Sequence, residues 1–181
     1  MRKLKDIRSD LELHYMQESR TVFFHGEVGQ FKLEDALRNL DYLANISKKP
    51  IILRICSPGG SVDYGLVLYD YIKMSKVPIH TLCSGMAASM AAILLGSGKK
   101  GKRMATKSSR IMIHQPSSGY IGKASDIEIH ANETKRIRNL LNTIISKDTG
   151  QPLKKVEKDT ELDLWMTAEN ALQYGIIDKI V

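Results

Sequence analysis

Gly85-Met-Ala-Ala-Ser-Met-Ala-Ala92 follows directly on the apolar, β-branched run Ile79-His-Thr-Leu-Cys83. The run reads as a strand, and the small residues after it read as a turn into a helix from about Met86 to Leu95. Small side chains let backbone and ligand approach closely, and a strand-to-helix transition leaves N–H groups without intrahelical acceptors. Ser89 is the one hydroxyl in the middle of this stretch, which makes it the candidate nucleophile.

The same alternation of strand and helix periods extends in both directions. Thr21 to Phe24 reads as a strand, and Leu33, Ala36, Leu37, Leu40 and Leu43 then recur at helical spacing up to Pro50. Ile51-Ile-Leu-Arg-Ile-Cys56 is a strand, Ser57-Pro-Gly-Gly60 a turn, and Val62 to Met74 a helix stopped before Pro78. Arg110-Ile-Met-Ile-His114 is a further strand, ended by Gln115-Pro116. Ser117 to Gly122 reads as extended, and a long polar helix is expected from about Lys123 to Thr149, stopped by Gly150 and Pro152. Its apolar stripe (Ile137, Leu140, Leu141, Ile144) fills only the second half, so the first half should project toward a partner. A capped helix, Thr167 to Gly175, and a strand, Ile176 to Val181, close the chain. Repeated units of this kind indicate an α/β domain with mainly parallel strands.

At 181 residues one domain over 1–181 is expected, with a sizeable core. No apolar run approaches the roughly 20 residues of a membrane helix. The basic start MRKLKDIRSD lacks the apolar stretch and cleavage site of a secretory signal, so a cytoplasmic location is expected. Cys56 and Cys83 lie in apolar strand-like runs, as free thiols in a reducing compartment would. They are too few soft ligands for a metal site, and no cofactor is expected. The net charge of +7 raises the question of nucleic acid. However, the densest basic cluster, Lys99-Lys-Gly-Lys-Arg103, is a glycine-flanked turn without interleaved aromatics. Neither nucleic acid nor membrane is therefore expected as a partner, and an anionic protein surface suits the charge equally well.

A serine hydroxyl needs a base to take its proton, and histidine is best matched to neutral pH. Of His14, His25, His80, His114 and His130, only His114 closes an apolar strand just before a proline-forced extension. Ligands of α/β sheets bind at such ends. A third group should orient the imidazole. Asp159 and Asp163 both flank Thr160, and composition leaves the choice open. Gly59-Gly60 and the N–H of Met90 are candidate donors to an oxyanion.

Six blocks resemble, in family order, the ClpP family of Clp protease proteolytic subunits. They are Ser57-Pro-Gly-Gly-Ser-Val62, Gly85-Met-Ala-Ala-Ser-Met90, Met112-Ile-His-Gln-Pro116, Ser125-Asp-Ile-Glu-Ile-His-Ala131, Thr149-Gly-Gln-Pro152 and Ala168-Glu-Asn-Ala-Leu-Gln-Tyr-Gly-Ile-Ile-Asp178. The resemblance implies a serine peptidase with Ser89 as nucleophile, His114 as general base then acid, and Asp163, rather than Asp159, as its orienter. It implies an oxyanion hole from the N–H groups of Gly60 and Met90. Substrate backbone would add as a strand along Ser61, Val62, Pro116 and Ser117. The implied fold is the crotonase-like α/β spiral of ββα units, with a handle over about residues 115–149. The implied assembly is two stacked heptamers of one chain, fed with unfolded polypeptide by an AAA+ Clp unfoldase. ATP would be used by that partner, since no G-x-x-x-x-G-K-[ST] loop is present.

The chain departs from the family in three places. Residues 1–20 are only loosely similar. Arg54, Ser84 and Thr106 stand where the unfoldase-docking cleft usually carries larger apolar or aromatic residues, and an arginine there penalises an apolar anchor. Ser117 replaces a common leucine beside the substrate channel. Two other readings remain: an acyl-CoA hydratase or isomerase on the same fold, and a non-catalytic subunit of a mixed ring.

Overall fold

A computed structural model describes residues 4–181, with side chains from residue 10 onward. The first residues of the basic N-terminal segment lie outside it. The elements in chain order are α1 (Leu4–Ser19), β1 (Thr21–His25), α2 (Gln30–Ile46), β2 (Ile51–Ser57), α3 (Val62–Met74), β3 (Ile79–Ala88) and α4 (Met90–Gly96). They continue with β4 (Arg103–Ala105), β5 (Arg110–Ile113), α5 (Ala124–Thr149), α6 (Leu153–Asp159), β6 (Leu164–Thr167), α7 (Ala168–Tyr174) and β7 (Lys179–Ile180).

The sheet runs β1-β2-β3-β4-β7, all parallel, with β5 parallel to the far end of β3 and β6 antiparallel to β5. β3 is the hub. Its first half (Thr81–Cys83) pairs with β4, and its second half (Met86–Ala88) pairs with β5. The sheet therefore turns a corner along one strand, and the end of that strand delivers Ser89. Alternation in β2 puts Ile51, Leu53 and Ile55 into the core, where they meet Leu33, Leu40 and Leu43 of α2 and Leu68 of α3. Each such side chain contributes roughly 1.5–3 kcal/mol on burial. The opposite face of β2 carries the half-buried Ile52, Arg54 and Cys56. This is a mixed α/β fold built on a mainly parallel sheet.

Several expectations need correction. The small-residue stretch is strand through Ala88, and α4 starts only at Met90, because Met86–Ala88 find ladder partners in β5. Arg103, expected in a polar turn, opens β4, and its side chain is 1% exposed. The expected closing strand from Ile176 shrinks to Lys179–Ile180, because Ile176 and Ile177 are used as core residues instead. The helices α1 and α6 and the strands β4 and β6 have no counterpart among the sequence expectations.

Apart from the Ser19 hydroxyl, the buried side-chain polar atoms of the described residues have partners. Arg20 gives its guanidinium to the carbonyls of Leu43, Ser47, Lys49 and Pro50, closing the C-terminal end of α2. The Arg103 guanidinium makes a two-point bridge to Asp178 (2.8 and 2.6 Å) and donates to the Asp148 carbonyl at 2.8 Å. Both cysteines are free, and burial pushes the Cys83 thiol up to about 11, which keeps it an unreactive apolar filler. Among the described residues no helix is long and apolar enough to cross a membrane, and no group of three metal-ligating side chains converges.

Candidate active site

Ser89 sits at the hinge between β3 and α4 with φ +55° and ψ −127°, one of two non-glycine residues with positive φ among those described. A β-substituted residue rarely holds such angles without support. Support comes from both sides: its N–H donates to Met112 O (2.8 Å) in β5, and its carbonyl accepts from the N–H of Ala92 (2.9 Å) in α4. The strained turn presents Oγ at the end of the sheet, partly exposed, above a helix buried along its whole length.

His114 follows the last residue of β5, the strand that pairs with the end of β3. Its Nε2 lies 2.9 Å from Ser89 Oγ, and its Nδ1 lies 2.8 Å from Asp163 Oδ1. Asp163 stands just before β6, whose first residue, Leu164, pairs with Ile113. The β5–β6 ladder thus carries the histidine and the aspartate side by side. Asp159, the alternative that composition left open, is used elsewhere: it binds Lys155 Nζ (2.5 Å) and the Tyr174 hydroxyl (2.9 Å). The remaining described histidines also lie elsewhere. His25 meets the Phe23 ring edge-on, and His130 stacks on Tyr120 at 3.7 Å between ring centroids.

The diglycine closes the third side. Val28 donates to Gly59 O (2.7 Å) and accepts from the Ser61 N–H (2.8 Å), forming a parallel bridge to Gly60. Gly60's own N–H therefore faces away from Val28. Gly59, at φ +97°, packs on Ser89 itself. A Cβ there would lie 2.7 Å from Ser89 Cβ and 2.7 Å from Ala88 O, and 3.1 Å from the Met90 N. Gly59→Ala is therefore expected to displace Ser89 and lower kcat on the order of 100-fold. Gly29→Ala, where a Cβ meets nothing within 4 Å, is the neutral control. Peptide hydrolysis per titrated site checks both, and a Gly59→Ala enzyme matching the control would contradict the packing argument.

Of the other expected site residues, Ser61 caps α3 by accepting from the Tyr64 N–H, and Val62 begins that helix. Pro116 is partly exposed and Ser117 exposed, in the extended segment after His114. Arg54, Ser84 and Thr106 are engaged with near neighbours. Arg54 Nε donates to Ser84 Oγ (2.8 Å), its guanidinium lies 5.8 Å from the centre of the Phe23 ring, and Thr106 shares a hydrogen bond with Ser109 (2.8 Å). Sequence reasoning missed Gln115, whose N–H donates to Thr160 O (2.7 Å) and whose Nε2 donates to Glu161 O (2.9 Å). Those bonds tie the histidine strand to the acidic loop. A glutamine next to a histidine carries no signal of that in sequence.

The sequence model of the family described as Clp protease matches residues 5–181. The chain belongs to the Clp protease family. Membership makes this Clp protease chain a peptidase by family, and agrees with its mixed α/β fold.

Proposed function

We propose that the chain is a serine endopeptidase that cleaves unfolded polypeptides to short peptides without a metal or organic cofactor. The supporting observation is the continuous hydrogen-bond chain from Ser89 Oγ through His114 to Asp163. His114 Nε2 takes the hydroxyl proton as Oγ bonds to the scissile carbonyl carbon, whose π electrons move onto oxygen. Asp163 accepts from Nδ1–H, so the basic nitrogen faces Ser89, and it stabilises the cation that forms. The N–H groups of Gly60 and Met90 receive the oxyanion. Collapse breaks the C–N bond, and the imidazolium gives its proton to the leaving amine. Water then repeats the sequence on the acyl-enzyme. Substrate backbone adds as a strand along Gly60 to Val62 and Pro116 to Ser117, which makes cleavage tolerant of sequence. A fluorophosphonate that labels Ser89, together with hydrolysis of small fluorogenic peptides, tests this reading. Absence of both from the assembled protein favours the non-catalytic subunit, whereas turnover of an acyl-CoA would favour the hydratase reading.

The proposed assembly is two stacked heptamers of this chain in the cytoplasm, enclosing the active sites, with α5 as the interlocking handle. The first half of α5 leaves Ile127 and Ile129 46% and 66% exposed, as a helix awaiting another subunit would. ATP is spent by an AAA+ unfoldase, and the docking of that partner differs from the family's usual apolar mode. Arg54, Ser84 and Thr106 place polar groups where an apolar anchor would need a dry cleft. Little degradation of a folded, tagged substrate is expected with a standard bacterial Clp ATPase, while small peptides are still cleaved. Robust processive degradation would overturn the altered docking.

A further inference from the structure

Of the three groups at the site, Ser89 and His114 directly follow sheet strands, whereas Asp163 lies in the loop between α6 and β6. The Asp163 side chain is 58% exposed, so burial does not hold it. Its position comes from its backbone. On one side Leu164 pairs with Ile113, and on the other the loop hangs from Thr160, three residues upstream. Thr160 is 1% exposed, and its carbonyl takes the Gln115 N–H. Its hydroxyl lies 2.9 Å from Val156 O and donates across to Asn142 Oδ1 at 3.0 Å.

Asn142 is itself 2% exposed, in the buried stretch of α5 between Leu141 and Ile145. An amide in that stripe costs free energy unless it is bonded, and an apolar pair of similar shape would pack there at little or no net loss. Stability alone therefore gives no reason for a polar pair. A directional contact does, because a hydrogen bond fixes distance and angle where apolar packing tolerates sliding.

We infer that Asn142 and Thr160 are positioning residues, whose bond from α5 to the acidic loop sets the place of Asp163 against His114. The inference rests on the proposed Ser-His-Asp reading. It makes the seating of the long helix against α4 and α6 a determinant of turnover, since a shift of α5 is passed through Thr160 to a carboxylate three residues away.

The test compares Thr160→Val, Thr160→Ser and the double variant Asn142→Leu/Thr160→Val in the assembled protein. Active sites are titrated with a fluorophosphonate, and kcat and KM are measured on a fluorogenic peptide alongside thermal unfolding. Thr160→Val should lower kcat per titrated site on the order of 10- to 100-fold with KM little changed. Thr160→Ser should keep kcat near that of the parent. The double variant should regain the thermal stability lost in the single one, but not its kcat. Recovery of both by the double variant, or full kcat in Thr160→Val, overturns the inference and leaves a purely structural pair. Hydrolysis surviving in Ser89→Ala would instead show that the serine mechanism itself is wrong.

Discussion

Ser89→Ala is expected to lower peptide hydrolysis by on the order of 10⁶-fold and to abolish fluorophosphonate labelling. The strained backbone and the donors around it remain, so the loss isolates the hydroxyl. His114→Ala should cost about as much, and the two together no more, because in the proposed mechanism nucleophile and base act as one unit. Asp163→Asn should cost about 10⁴-fold by a different route. An amide at that place can donate to Nδ1, which moves the imidazole proton to Nε2, the nitrogen 2.9 Å from Ser89 Oγ. The base then points its proton at the group it should deprotonate. Asp159→Asn is the matching control, since that carboxylate serves Lys155 and Tyr174. Steady-state hydrolysis with active-site titration separates these cases, and an Asp163→Asn enzyme within tenfold of the parent would remove the orienting role.

Arg103→Met is expected to be the most destabilising of the charge deletions, by about 3–5 kcal/mol. The guanidinium is buried and bonded to Asp178 at two points, and it also holds the last turn of α5 through the Asp148 carbonyl. Methionine fills much of the volume but leaves a mostly buried carboxylate without its counter-charge. Chemical unfolding measures the loss, and Arg103→Met/Asp178→Leu should recover most of it, because no uncompensated charge remains. Burial works to raise the Asp178 carboxyl, but hydrogen bonds from the Arg103 side chain and backbone, with its charge, hold it at about 2 against an ordinary 3.8. A depressed carboxyl stabilises the fold where it is ionised, so the contribution is complete above about pH 4 and lost as pH falls through 2. The difference is about 2 kcal/mol. The gap between the parent and Asp178→Asn should therefore close on acidification from pH 5 to pH 2. A gap that stays constant would contradict this assignment.

Legibility in the sequence followed the range of the interaction. Val62 to Met74 could be read as a helix and Ile51 onward as a strand because period and stop signals are local, and the structure has α3 and β2 there. The stretch around Ser89 was harder. Met86 to Ala88 look helical by composition, yet they are strand because β5, more than twenty residues later, supplies their ladder partners. Arg103 looked like one more surface cation in a basic turn, and it is buried because Asp178 arrives beside it from the far end of the chain. The acidic block could not be divided by composition, and the two aspartates differ only in what surrounds them.

Residue types and spacing already determined the α/β class, a serine in a small-residue turn, a histidine at a strand end and an aspartate pair near the C-terminus. The family resemblance pointed to Asp163; tertiary structure alone showed that it lies against His114, that Gly59 packs on Ser89, and that Asn142 reaches Thr160. The reason is physical. Local periodicity reports which face of an element is buried, whereas a hydrogen bond of 2.8 Å between residues 49 positions apart depends on the register of β5 against β6, and that from His114 to Ser89 on the register of β3 against β5. Register is a property of paired strands, and no single stretch of sequence contains it.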